Sequence, residues 1–224
     1  EFPNSIARLT AVYTTLLALF AALASTASVP LTSALGSWQI SLALWSLPGI
    51  LALLSWWMLS RQSHDQEPQA ASVGHIDANL WKHPLTWSIV GFFGIQSLGF
   101  YALLGWMPSA LVAIGQTPQA AGNYLGFASA IGIPSGLIIS SMLSRFSSLA
   151  WWAAGTSALT LIGDMFFTLV LQTGNTDELM LACVLIGLGM SATFPISLSL
   201  IGTRASTQAQ TTQLSAMAQG WGYL

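Results

Sequence analysis

The sequence predicts an all-α, polytopic membrane protein, and three observations predict it. Hydrophobic residues make up 54% of the chain and charged residues 5%, with a mean hydropathy of +0.67, where a soluble domain would carry roughly a quarter charged residues. The apolar stretches run long enough to cross about 30 Å of hydrocarbon as helices, and none shows the ten-residue alternation of barrel strands. All five Lys and Arg residues, Arg8, Arg61, Lys82, Arg145 and Arg204, fall in alternate breaks between those stretches. That alternation puts every cation on one side of a membrane, as the positive-inside rule requires.

Hydrophobic segments are read in order at residues 9–31, 38–59, 85–107, 121–143, 149–171, 179–203 and from 214 onward. The first carries a small-residue stripe, Ala21, Ala24, Ser25 and Ser28, which lets a neighbouring helix approach closely. Proline at position 48 is expected to kink the second segment, as Pro134 kinks the fourth. The fourth also holds Gly122-xxx-Gly126 and Gly132-xxx-Gly136, spacings suited to close helix packing. In the sixth, Pro195 beside Gly187 and Gly189 predicts a kink at membrane depth, where broken helices line transport paths. The breaks at 32–37, 108–120 and 172–178 hold no Lys or Arg, so the first segment is oriented from the cytoplasm outward. Trp38, Trp56, Trp57, Trp81, Trp87, Trp106, Trp151 and Trp152 mostly mark segment ends, as interfacial aromatic belts do.

Residues 61–84 form the one extended polar stretch, with Arg61, His64, Asp65, Glu67, His75, Asp77, Lys82 and His83, and read as a cytoplasmic linker between helix bundles. Its histidines lack a second ligand cluster at metal spacing, so no metal and no cofactor is expected. A net charge of -2 argues against a nucleic-acid partner. The single cysteine, Cys183, permits neither an intrachain disulfide nor a cysteine-rich metal site. Nucleophile elbows, P-loops and dinucleotide fingerprints are absent from the sequence, and catalysis is not expected. The first apolar run lacks the flanks of a signal peptide. Neither the start at Glu1 nor the stop at Leu224, inside an apolar segment, looks like a natural terminus, and an internal piece of a longer protein is expected.

Polar groups inside the apolar segments are the functional signal, because each costs several kcal/mol in lipid unless it meets a partner or a wet cavity. In the third segment Ser97 and Tyr101 share a helix face at i, i+4, with Gln96 one step away. A buried amide can hold a small polar solute, and it can equally bridge two helices. Met190, Thr193 and Ser197 fall on one stripe beside the Pro195 kink. Asp164 is the one ionisable side chain well inside a segment, which makes it a candidate for proton coupling. The other reading pairs it with a neighbouring helix or the outer interface.

Phe2-Pro3 with Ala7-Arg8-Leu9-Thr10, Gln96-Ser97-x-x-Phe100-Tyr101 with Gly105-Trp106-Met107-Pro108, Ile201-Gly202-Thr203-Arg204-Ala205, and the run from Leu214 through Met217-Ala218-Gln219-Gly220-Trp221-Gly222-Tyr223-Leu224 resemble the major facilitator superfamily. Within it they resemble the cyanate and 2-nitroimidazole transporter family, over nearly the whole chain. The resemblance implies helices five to ten and early eleven of a twelve-helix bundle. Residues 1–60 would be the last two helices of the N-terminal half, 61–84 the central cytoplasmic loop, and 85–224 helices seven to early eleven of the C-terminal half. It implies a substrate pathway through Gln96, Ser97, Tyr101, Trp106, Met190, Thr193, Ser197 and Gln219. Helix nine is peripheral in this fold, which moves Asp164 away from that pathway. The superfamily's Asp-Arg after helix eight is lacking, because Ser144-Arg145-Phe146-Ser147-Ser148 stands there.

A secondary transporter of the cytoplasmic membrane working by alternating access is therefore expected, moving a small molecule, with the lipid bilayer, protons and the remaining helices of the same protein as partners. The resemblance suggests a cyanate-like anion or a nitro-heterocycle. With no Lys or Arg inside a segment, either other helices supply a cation or the substrate is neutral. An exporter of small toxic compounds, a channel, and a non-transporting sensor or scaffold are the competing readings.

Overall fold

A computed structural model of the chain describes residues 6–62, 78–143, 148–205 and 207–223. Arg145 and the loop residues His64, Asp65, Glu67, His75 and Asp77 lie outside the described residues, as does the side chain of Arg8. The described residues form nine helices: α1 (Ile6–Leu35), α2 (Trp38–Leu44), α3 (Leu47–Gln62), α4 (Ala78–Lys82), α5 (Pro84–Ala113), α6 (Pro118–Met142), α7 (Leu149–Thr173), α8 (Leu179–Arg204) and α9 (Gln208–Gly222). Six stretches are long and apolar enough to span a bilayer, with α2 and α3 together making one of them. The molecule is thus an all-α, multi-pass membrane protein.

Helix boundaries differ from the hydrophobic segments at two places, each with a local cause. The second segment is not one helix: the backbone turns at Trp45 and Ser46, whose N–H groups donate three residues back to Leu42 and Ala43. Pro48 has no N–H to give the Leu44 carbonyl, so the α-helical ladder cannot pass through this point. The third segment, by contrast, runs on past Pro108 to Ala113. Met107 and Leu111, on either side of that proline, are both fully buried. Packing against Leu125, Leu179 and Cys183 in one apolar cluster outweighs the lost hydrogen bond. A further short helix, α4, occupies the end of the polar stretch.

Capping residues set several of the starts. Thr117 and Thr207 accept from the N–H groups of Ala120 and Gln210 and so open α6 and α9, as short hydroxyl side chains do at helix N-termini. Gly174, at φ 69°, closes α7 in the left-handed conformation that glycine adopts without steric cost.

Helix α8 is the centre of the bundle, packed on α6, α7 and α5, while α1 lies along α6 and α9 along α5. Leu80 shares a cluster with Ile201 and Leu214, and Leu149 shares one with Ile139 and Leu200. The ends of α4, α6 and α8 and the starts of α7 and α9 therefore lie together, so Lys82, Arg204 and the helix ends that flank Arg145 share one end of the bundle. In α3 every residue from Leu47 to Arg61 is exposed, and apolar side chains such as Leu51, Leu53 and Trp56 lie on the outer surface.

Candidate functional site

Two glycine pairs on α6 bring three helices close enough to enclose a space. A Cβ on Gly122 or Gly126 would run into Ser25, Ala22 and Thr26 of α1, and one on Gly132 or Gly136 would run into Gly187 and Ser191 of α8. The first pair belongs to the half of α6 away from the charge-bearing end, so α1 and α6 touch closely there. Pro30 cannot supply the N–H that would bond the Thr26 carbonyl, and the amide of Gln119 on α6 donates to that oxygen at 3.2 Å. The crossing is thus closed by backbone contact and by one hydrogen bond between helices.

Beyond that crossing lies a cavity of about 100 Å³ between α1, α5, α6, α8 and the end of α9. Gln96, Ser97, Phe100 and Tyr101 line it from α5, as do Met190, Ser191 and Phe194 from α8. Ser129, Gly132, Ile133 and Gly136 of α6 and Tyr13, Thr14, Thr15 and Ala18 of α1 complete most of the wall, with Tyr223 beyond α9. No residue in the lining is charged.

The polar part of the wall comes from helix geometry. Gln96 Nε2 donates to Ser97 Oγ at 2.8 Å, which fixes the amide and leaves its oxygen and second N–H able to meet a guest. Tyr223 lies on the same wall as Ser97 and Tyr101 and adds a phenol to it. On α8, which runs unbroken through Pro195, the proline deprives the Ser191 carbonyl of its helical donor, and Ser191 lies on the cavity wall facing the α6 glycines.

The apolar part belongs to a run of rings in mutual contact, in which Phe93 is buried behind the wall. Phe100 meets Tyr101 at 5.4 Å between centroids, Tyr101 meets Tyr223 at 5.9 Å, Tyr223 meets Phe93 at 5.5 Å, Phe93 meets Phe194 at 6.2 Å, and Phe194 meets Tyr13 at 6.5 Å. These separations and tilted geometries are those of favourable aromatic pairs. The run links α5, α9, α8 and α1.

The structure brings together Gln96, Ser97, Tyr101 and Met190 from the residues the sequence singles out. It does not bring the others. Thr193 and Ser197 are buried, and their hydroxyls donate to the Met190 and Phe194 carbonyls of their own helix at 2.8 and 2.7 Å. The stripe is rotated so that Ser191 and Phe194, not Thr193, join Met190 at the wall. Trp106 is 74% exposed, about two turns before the end of α5 at Ala113, and stands outside the cavity lining. Gln219 is exposed and donates to Ser215 Oγ at 2.9 Å. Asp164 is half-buried on α7, outside the cavity lining.

Sequence reasoning missed Tyr13, Ser129, Ser191, Phe194 and the cavity role of Tyr223. Ser191 and Phe194 lie within about a turn of Pro195, the signal that points to this stretch of α8. Tyr13 carries no signal in the sequence alone, because a lone tyrosine near the end of an apolar segment matches an interfacial aromatic equally well.

Compared with known families, residues 2–224 match the Major Facilitator Superfamily. Among curated proteins, the whole chain is 32% identical to 56% of the 2-nitroimidazole transporter of Escherichia coli. It is 29% identical to 54% of an uncharacterized transporter, YycB, of Bacillus subtilis. Over 84% of its length it is 25% identical to 47% of the cyanate transport protein CynX of Escherichia coli. The chain spans about half the length of the curated relatives it matches.

Proposed function

Because this chain belongs to the Major Facilitator Superfamily, we propose that it forms part of a secondary transporter that carries a small, uncharged polar solute by alternating access. The observation that carries this reading is the composition of the cavity wall. Amide, hydroxyl and phenol groups supply hydrogen bonds, aromatic rings supply flat apolar contact, and no charged side chain lines it. An anion held there would have no cationic partner in this wall, and an unpaired charge away from water is costly. A planar heterocycle with polar substituents meets both kinds of wall at once. A nitro-heterocycle such as the 2-nitroimidazole named for one relative fits better than cyanate.

Gln96 is the central hydrogen-bonding group in this reading, with Ser97, Tyr101 and Met190 beside it. Trp106, Thr193, Ser197 and Gln219 contribute to helix packing and to the membrane interface. By the positive-inside rule the end carrying Lys82 and Arg204 is cytoplasmic in the inner membrane. Residues 1–60 then belong to the N-terminal half, 61–84 to the central loop and 85–224 to the C-terminal half. The α1–α6 crossing closes the outer side, and the cavity lies on its cytoplasmic side.

The test is uptake by the full-length protein in proteoliposomes, with 2-nitroimidazole and cyanate as separate probes. Saturable 2-nitroimidazole uptake well above that of protein-free liposomes, with little cyanate uptake, is expected. Saturable cyanate uptake without 2-nitroimidazole uptake would overturn the uncharged-substrate reading, and uptake of neither above the liposome background would remove both.

A further inference from the structure

The two ends of the cavity are bounded by very different contacts. Toward the α1 C-terminus, backbone meets backbone at Gly122 and Gly126, and Gln119 bonds the Thr26 carbonyl. Along its whole length α1 packs mainly on α6 and touches α8 far less. Tyr13 stands toward the charge-bearing end, two turns into α1, with a half-exposed ring that lines the cavity and meets Phe194 at 6.5 Å and 41°. Rings in such a pair can part by rotamer changes alone, without moving either backbone, whereas the glycine crossing can open only if whole helices separate. Tyr13 also ends the aromatic run and is the ring in it that α1 contributes.

We infer that Tyr13 is a gate residue, closing the substrate cavity at its charge-bearing end by contact with Phe194. The inference deepens the transporter reading and rests on it for the identity of the cavity. With the pair in contact, a solute beside Gln96 is walled off by a single layer of rings. With Tyr13 rotated away, the solute meets the aqueous phase at that end while the glycine crossing stays shut. Because Tyr13 lies on α1 and Phe194 on α8, the gate responds to small shifts between these helices.

Measuring cavity access, which requires no transport and no substrate, tests it. The full-length protein carries Ser129→Cys as its sole cysteine, placed on the cavity wall, and is labelled with a membrane-impermeant maleimide in inside-out and right-side-out vesicles. Tyr13→Ala is expected to speed labelling from the charge-bearing face by about threefold to tenfold, the range an aromatic pair of this kind supports. Phe194→Ala should do the same, the two together should add little, and Tyr13→Phe should label like the parent. Parental rates in both alanine variants would overturn the gate, as would equal acceleration from both faces, which marks a loosened bundle. A Tyr13→Phe rate as high as that of Tyr13→Ala would also overturn it, because the ring contact would then not be the barrier. Failure of 2-nitroimidazole uptake would leave these labelling outcomes unaffected, so the two readings fail separately.

Discussion

A primary amide in the interior of a membrane helix must find hydrogen-bond partners, and Gln96 finds one in its neighbour Ser97 at 2.8 Å. Gln96 also lines the cavity, where its oxygen and second N–H remain able to meet a guest. Thr193 and Ser197 go the other way. Each donates within its own helix, a common resolution for hydroxyls on membrane helices. Asp164 is a third case: its half-buried carboxyl lies on α7, outside the cavity lining. Replacing it should therefore leave exchange through the cavity intact. Asp164→Asn in the full-length protein is expected to keep 2-nitroimidazole counterflow within about twofold of the parent, because changes away from a site's own contacts shift its energies by only a few tenths of a kcal/mol. A larger loss would place Asp164 on the pathway. Loss of accumulation under a pH gradient with counterflow kept would assign it proton coupling.

Prolines and glycines explain most of what the helices do. Pro48 ends α2 early, Pro195 leaves the Ser191 carbonyl without its helical donor, and Pro30 exposes the carbonyl that Gln119 takes. Pro108, flanked by Met107 and Leu111 in the core, does not stop its helix at all. Which prolines break a helix depends on the packing around them, and that is why the kink expected at Pro48 is a full break at Trp45 and why the continuation to Ala113 was not legible in the sequence. Spacing of the α6 glycines was legible; which helix each pair meets was not, since small-residue spacings carry no address. Gly126→Val should drive a side chain into Ala22 and Thr26 of α1 at a cost of about 1–3 kcal/mol. Gly155 on α7 has open space around its Cα, so Gly155→Ala should be neutral or slightly stabilising. Thermal unfolding of the full-length protein in detergent checks both, and equal melting temperatures for the two variants would contradict the α1–α6 contact.

At the scale of the whole molecule, composition and charge placement sufficed for the membrane assignment, and the geometry adds that helix ends bearing Lys82 and Arg204 lie together at one end. The site was legible in part. Polar residues on α5 stood out against an apolar background, whereas aromatic wall residues such as Tyr13 and Phe194 resemble the belt and core residues around them until α1 and α8 are brought together. Since Lys82, Arg204 and the exposed Arg61, stacked on Trp57 at 3.9 Å, stand at helix ends, the lining is left without charge and the proposed substrate is neutral. In the proposed transport cycle such a solute is held by Gln96 inside a cavity reached alternately from each side. Counterflow of labelled 2-nitroimidazole in proteoliposomes, comparing the full-length parent with Gln96→Ala, tests it most directly. Saturable counterflow that falls about tenfold in the variant is predicted, the effect of losing hydrogen bonds worth about 1.5 kcal/mol, and equal counterflow in the two proteins would contradict it.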